Sequence, residues 1–413
     1  MRRIAEDGMF EEHIPRRHRV GRVWRTLFQA SPIVGIIFLS ALLYNILNQT
    51  FGLVAVENRV DPASLAVEGI PLEDLSKEQL VSALQDHVSE GLFRRFEHDR
   101  PFDQRSREDV LDLVWRQVVD PQVVETWSLY ESLFARDEIR EAVAEEFPNA
   151  TLEFRSWLDR HLLTAAQSSD PERAGIRTAI LGSLWTIVIT ILTAFPMGVG
   201  AAIYLEEYAS DGWLTRLLQT NINNLAGVPS IIYGLLGLAI FVRALELLTS
   251  GAMFGAVDRT TANGRTILSA GMTLGLLILP LIIINAQEAI RAVPDSLRRA
   301  SYGLGATKWQ TIWSHVLPNA LPGILTGTIL GVSRAVGETA PLVVVGASTY
   351  VALDPKGPFS KFTTLPIQIF QWTARPQDEY RNLAAGAIVT LLLLILGLNA
   401  LAVVLRNRYS RRM

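Results

Sequence analysis

Residues 266–289 read TILSAGMTLGLLILPLIIINAQEA, and this stretch decides the fold. It carries one charge, Glu288, near its end; the rest is mostly apolar or small. An apolar run of about 20 residues is a membrane-crossing helix. Similar blocks lie on both sides: 178–205 and 222–248 before it, 320–347 and 383–405 after it, and 32–56 near the start of the chain. The chain has 413 residues, 49 % of them hydrophobic, gathered into these blocks between charged loops. The sequence therefore predicts an all-α polytopic membrane protein with six transmembrane helices. With no cysteine, disulfides and thiolate metal sites are excluded.

Charge sets the expected orientation. Arg16, Arg17, Arg19, Arg22 and Arg25 precede the first span, and Arg406, Arg408, Arg411 and Arg412 follow the last. Arg291, Arg298, Arg299 and Lys308 lie between spans four and five. Six crossings put all three groups on one side, which basic loops mark as cytoplasmic, so both termini are expected there. The loop with Glu206, Glu207, Asp211 and Arg216 falls on the same side and is an acidic exception.

Between spans one and two, residues 57–172 hold 26 Asp and Glu against 12 Lys and Arg, a composition suited to the outside. The runs LEDLSKEQLVSALQDHV and REDVLDLVWRQVV place apolar residues at helical spacing, and Ser76 with Gln79 forms a capping-box pattern. DRPFDQRSRED reads as a connecting turn. A small helical extracytoplasmic insert is expected; a solvated acidic spacer is the alternative. The expected plan is a basic tail at 1–30, a first span at 31–56, the insert at 57–172, a five-helix core at 173–408 and a tail at 409–413. A signal peptide is the other reading of the first span. The long charged lead of about 30 residues, with no clean cleavage pattern after the apolar run, argues against it. Asn45, Asn48 and Gln49 share one face of that span, which is expected to look into protein.

No catalytic pattern stands out. There is no P-loop, and His13, His18, His87, His98, His161 and His315 are scattered as surface residues rather than metal ligands. No metal and no cofactor is expected on this chain; if transport is driven by ATP, a partner must hydrolyse it.

The loop after span four reads RAVPDSLRRASYGLGATKWQTIWSHVLPNALPG. A helix can start at Pro294 and Asp295, a break follows at Gly303 to Gly305, and a second short helix leads to Leu317, with Pro318 opening the next span. This loop resembles the EAA loop of ABC-importer permeases, here at 291–318. Arg299, Ala300 and Ser301 stand in the first three places, Gly305 at the glycine, Leu317 and Pro318 at the end. Arg299 replaces the acidic residue and Ser301 the second alanine. The segments NLAGVPSIIYGL, AIYLEEYA, RAVGETAPL and TLPIQIFQW are together similar to the phosphate-specific permeases of the PstA type. The resemblance covers about 173–408 and the first span, not the acidic insert. It implies a type I ABC-importer permease in the bacterial inner membrane, forming half of a phosphate path and working by alternating access. The implied partners are a PstC-type second permease, a PstB-type ATPase dimer carrying ATP and Mg, and a PstS-type phosphate-binding protein. The loop would dock on the ATPase.

Within RAVGETAPL, Arg334 and Glu338 are four apart and expected on one face of span five. Charges at membrane depth face a bundle interior or a water-filled path. Arg334 is the expected phosphate contact, Glu338 its holder, and Thr339 an added hydroxyl; a structural ion pair between helices is the alternative. Gly227 and Pro229 interrupt span three, as a gate or kink or as packing geometry. Two other functions stay open: a permease for another oxyanion such as sulfate or molybdate, and a membrane-anchored sensor or scaffold working through the insert.

Overall fold

The computed structural model describes residues 14–410 apart from 68, 256–263, 348–349 and 352. Among the described residues, five helices are long and apolar enough to cross a membrane, and counting one bent pair as a single broken span gives six. Arg411 and Arg412 of the basic tail lie outside the described residues, as does His13.

Helix α1 (Ile14–Thr50) begins inside the expected basic tail and ends six residues before the expected boundary at 56. The apolar run continues past it as strand β1 (Phe51–Asn58). This corrects the expected first span. A strand buried on both faces is continuously apolar, as a membrane helix is, so hydropathy alone joins the two. β1 is the centre of a three-stranded antiparallel sheet of order β2-β1-β3, with β2 (Pro121–Thr126) and β3 (Thr151–Ser156). The insert is thus mixed α and β rather than purely helical. Its helical part follows the sequence pattern. In α2 (Lys77–His87) and α3 (Arg107–Val114), Leu80, Leu84, Val110 and Val114 face a common core. Ser76 with Gln79, and Ser106 with Asp109, close reciprocal capping boxes that satisfy the first amides of each helix. The join between insert and membrane domain is packed: Val54, Val56, Trp157 and Leu162 share one core with Ile176, Trp372, Tyr380 and Leu383. Of Asn45, Asn48 and Gln49 on α1, Asn48 makes the expected contact, its Oδ1 accepting the Tyr130 amide at 2.7 Å. Asn45 and Gln49 are exposed.

Helix α4 (Arg177–Ile203) leads through a wide turn at Tyr204–Tyr208 to the bent pair α5 (Trp213–Ala226) and α6 (Ser230–Gly237). Helix α7 (Ile267–Arg291) is the most enclosed span. The loop beyond it forms α8 (Asp295–Gly303). From Lys308 the chain is helical without interruption to Gly337, through a wide turn at Ile312–Val316 into α9 (Leu317–Gly337). Pro318 stands in the first turn of α9, as expected, although that helix continues the preceding one without a break. One extra residue in the turn, with the Leu317 amide bonded to the Ile312 carbonyl, accommodates a ring that cannot donate. α9 is followed by α10 (Ala340–Val345), α11 (Leu365–Thr373) and α12 (Asp378–Ser410).

α9 crosses α7 along a face of small residues, Gly323, Gly327 and Gly331, spaced four apart. A Cβ on Gly323 would stand 2.7 Å from the Ala289 Cβ, and one on Gly327 only 2.3 Å from the Asn285 Cβ. At Gly331 the nearest atoms are 3.7 Å away, so the approach is tight toward the loop end and relaxed toward Arg334.

Candidate functional site

Two interrupted helices meet where α6 packs on α10. Span three, expected as one helix, turns by 108° between α5 and α6. Pro229 offers no amide and keeps the residue before it out of the helical region, so α5 stops at Ala226. The freed Leu225 carbonyl accepts the Val228 amide at 3.0 Å and the Tyr233 hydroxyl at 2.7 Å, so the break is satisfied within the chain. The second interruption follows α9. Glu338 is extended, with φ −77° and ψ 124°, and α10 restarts with Pro341 in its first turn. α10 packs on α6 where Gly234 leaves room: a Cβ there would stand 2.7 Å from the Pro341 Cα.

Arg334 and Glu338 lie at this junction. They do not share a face of one helix, because α9 ends at Gly337. They pair nevertheless, Arg334 Nε standing 3.4 Å from Glu338 Oε1. The Arg334 side chain is 47 % exposed on the surface of this chain, and its terminal Nη groups have no partner among the described residues. The buried Tyr233 lies within electrostatic reach of that charge. Thr339 is half-buried, and its hydroxyl caps nothing; its carbonyl accepts the amides of Leu342 and Val343. The arrangement offers an anion a forked cationic donor held from one side. Gly227 and Pro229 are joined to the same junction through Leu225 and Tyr233.

The second site is the loop at the other end of α7. α8 presents Arg299 and Ala300 to solvent, while Ser301 is buried with its Oγ 2.8 Å from Thr311 Oγ1. The serine in the second alanine's place thus ties the two loop helices together. Gly305 turns the chain with φ +82°, a left-handed conformation that suits glycine. Thr307 and Gln310 form a capping box that restarts the helix. Leu304 is 91 % exposed, and the exposed rings of Trp309 and Trp313 stack at 5.6 Å. Leu317 and Pro318 are half-buried where the loop becomes α9.

Two carboxylates that the sequence does not single out pair with arginines of the loop. Glu206 and Glu207, the acidic exception to the charge pattern, close onto the loop. Glu206 Oε1 stands 2.6 Å from Arg291 Nη2, and Glu207 Oε1 stands 2.9 Å from Arg298 Nη2. The second pair is buried, with side chains 15 % and 6 % exposed for Arg298 and Glu207. Arg298 also donates to the carbonyls of Val293 at 2.7 Å and Ile290 at 3.0 Å, capping the end of α7. The available signal was charge complementarity: two adjacent acids after one span and two arginines after another on the same side. Among the described residues, no group of three or more His, Asp or Glu is placed to hold a metal.

Residues 194–413 match the family described as binding-protein-dependent transport system inner membrane component. Over 239 residues, 58 % of this chain and 72 % of the relative, the sequence is 35 % identical to phosphate transport system permease protein PstA 1 of Mycobacterium tuberculosis (strain CDC 1551 / Oshkosh). It is 34 % identical over 229 residues, 55 % of this chain and 71 % of the relative, to phosphate transport system permease protein PstA of Yersinia pestis. It is also 31 % identical over 260 residues, 59 % of this chain and 78 % of the relative, to the PstC permease of the phosphate transport system of Haemophilus influenzae (strain ATCC 51907 / DSM 11121 / KW20 / Rd).

Proposed function

Because the chain belongs to the binding-protein-dependent transport inner-membrane components, and within them to the PstA-type permeases, we propose that the ABC importer it serves is driven by ATP and carries inorganic phosphate. The chain itself is a multi-pass permease subunit of the bacterial inner membrane. The observation that carries the substrate reading is Arg334: a guanidinium braced by Glu338, with Nη donors that have no partner among the described residues, where two broken spans meet. Discontinuous helices are where transporters build substrate sites, and a planar fork of donors suits a multiply charged oxyanion. Glu338 holds the fork and offsets its charge, so that the anion can leave again. Thr339 adds a hydroxyl beside it.

In this reading a PstC-type permease closes the path from the other side. A PstB-type ATPase dimer, holding ATP and Mg, docks on Arg299, Ala300, Ser301 and Gly305. A PstS-type binding protein delivers phosphate on the side of the insert. The loop with Arg291, Arg298 and Lys308 then faces the cytoplasm, as do both termini. Closure of the ATPase pulls on α8, the Glu207–Arg298 pair carries that pull to the end of span two, and α7 and α9 carry it to the breaks at Gly227–Pro229 and Glu338–Thr339. The test is phosphate uptake in cells without their own high-affinity system, expressing this chain with its partners as wild type or as Arg334→Ala. Loss of uptake in a complex that still assembles and hydrolyses ATP supports the reading. Unchanged uptake makes the ion pair structural, and wild-type uptake of sulfate in place of phosphate moves the substrate to another oxyanion.

A further inference from the structure

A lateral crevice opens between α4, α9 and α12, in the half of the bundle nearer the 291–308 loop. Its volume is about 310 Å³, and Ile191, Phe195, Leu325, Ile329, Val332 and Leu398 are among its lining residues. The polar residues in the lining are turned to partners within the chain. Thr328 Oγ1 donates to the Ile324 carbonyl at 2.8 Å, and Asn399 Oδ1 accepts from Ser333 Oγ at 2.6 Å. Water needs two to four polar partners to stay ordered, and this surface offers it almost none. The crevice lies along three membrane-spanning helices, so what reaches it is hydrocarbon.

One turn beyond the crevice on α12 stands Arg406. Its side chain is half-buried, and its contacts are neutral and long: Thr326 Oγ1 at 3.4 Å and Asn407 Oδ1 at 3.4 Å. Among the described residues no carboxylate pairs with it. An apolar slot with an unneutralised guanidinium at its lip matches one kind of molecule. We propose that the crevice holds an acyl chain of an anionic membrane phospholipid, with the lipid phosphate at Arg406. Basic pockets between spans on the cytoplasmic side are suited to such head groups. Free phosphate has no tail to fill the slot, so the site is distinct from the substrate path. The lipid lies against α9, the span that carries Arg334, and the inference rests on the chain's being embedded in a membrane with the 291–308 loop on the cytoplasmic side.

The importer complex is purified in detergent, and the phospholipid retained per complex is identified and counted by mass spectrometry. Wild type is expected to keep an anionic phospholipid. Arg406→Gln is expected to lower its retention about fivefold, the factor carried by one basic side chain at an anionic surface. Ala402→Phe, which fills the slot without touching the charge, is expected to release it too. The chain has no cysteine, so Leu398→Cys also carries a photo-crosslinker at a single place. A lipid adduct there supports the site. An adduct to the partner permease overturns it, as does equal retention of anionic lipid in wild type and both variants.

Discussion

The buried pair Arg298–Glu207 yields the most quantitative expectation. Its side chains are 15 % and 6 % exposed, so removing one partner strands the other charge away from water. The two removals are not equivalent. Arg298→Met leaves Glu207 without a counter-charge and leaves the carbonyls of Ile290 and Val293 uncapped. That loss falls at about 3–5 kcal/mol, the range for breaking a buried pair. Glu207→Gln keeps the shape and an acceptor for Arg298, which retains both carbonyls and Asp295 at 3.2 Å. Its cost is about 1.5–3 kcal/mol, the worth of a charged hydrogen bond. The double variant Arg298→Met/Glu207→Met removes both charges and is expected to recover most of the loss. The assay is unfolding of the purified complex by titration with dodecyl sulfate, with each variant compared with Asp211→Ala, an exposed acid in the same loop. If Arg298→Met costs no more than Asp211→Ala, or if the double variant is no more stable than Arg298→Met alone, the pair does not hold the loop as described.

Other substitutions separate geometry from chemistry. Gly305→Ala places a side chain at φ +82°, where nothing else crowds it, so its cost is the left-handed strain alone, about 1–2 kcal/mol; Gly303→Ala, at an ordinary φ and in open space, is expected to be neutral in the same unfolding assay. Gly327→Ala drives a Cβ to 2.3 Å from Asn285 and is expected to reduce the amount of assembled complex, while Gly331→Ala, with its nearest neighbours at 3.7 Å, is expected to be tolerated; membrane levels of the complex report both. In the insert, burial raises the Glu172 carboxyl above its ordinary 4.5, outweighing the paired Arg155, while Asp170 and Glu379 push it further the same way. The raised value means that its contribution to stability is full below pH 4.5 and is lost as pH rises through the native titration; Glu172→Gln is expected to flatten that part of the curve of thermal stability against pH.

The membrane part of the fold was legible because the bilayer imposes length and hydropathy on every crossing. Residues 266–289 differ from α7 by only one or two residues at each end. The insert was less legible: β1 is apolar on both faces because it is the middle strand, and it follows a membrane helix with no charge between them. The two breaks were half legible. Pro229 announced one. Nothing before Pro341 announced the other, since Gly337 and Glu338 sit in a run that reads as helix. The meeting of α6 with α10 depends on Gly234 against Pro341, residues 107 apart in the chain, and no local spacing encodes it. The Glu206 and Glu207 clamp was hidden for the same reason: its partners lie 85 and 91 residues away.

The central claim is that phosphate passes the junction of the broken spans. A single cysteine tests it most directly, because the chain has none of its own. Thr339→Cys is made in the assembled importer, and its reaction with a membrane-impermeant thiol reagent is followed during turnover. Labelling is expected to be slowed by phosphate and unaffected by sulfate. A cysteine there that stays unreactive in every state, or one whose labelling ignores phosphate, would contradict it.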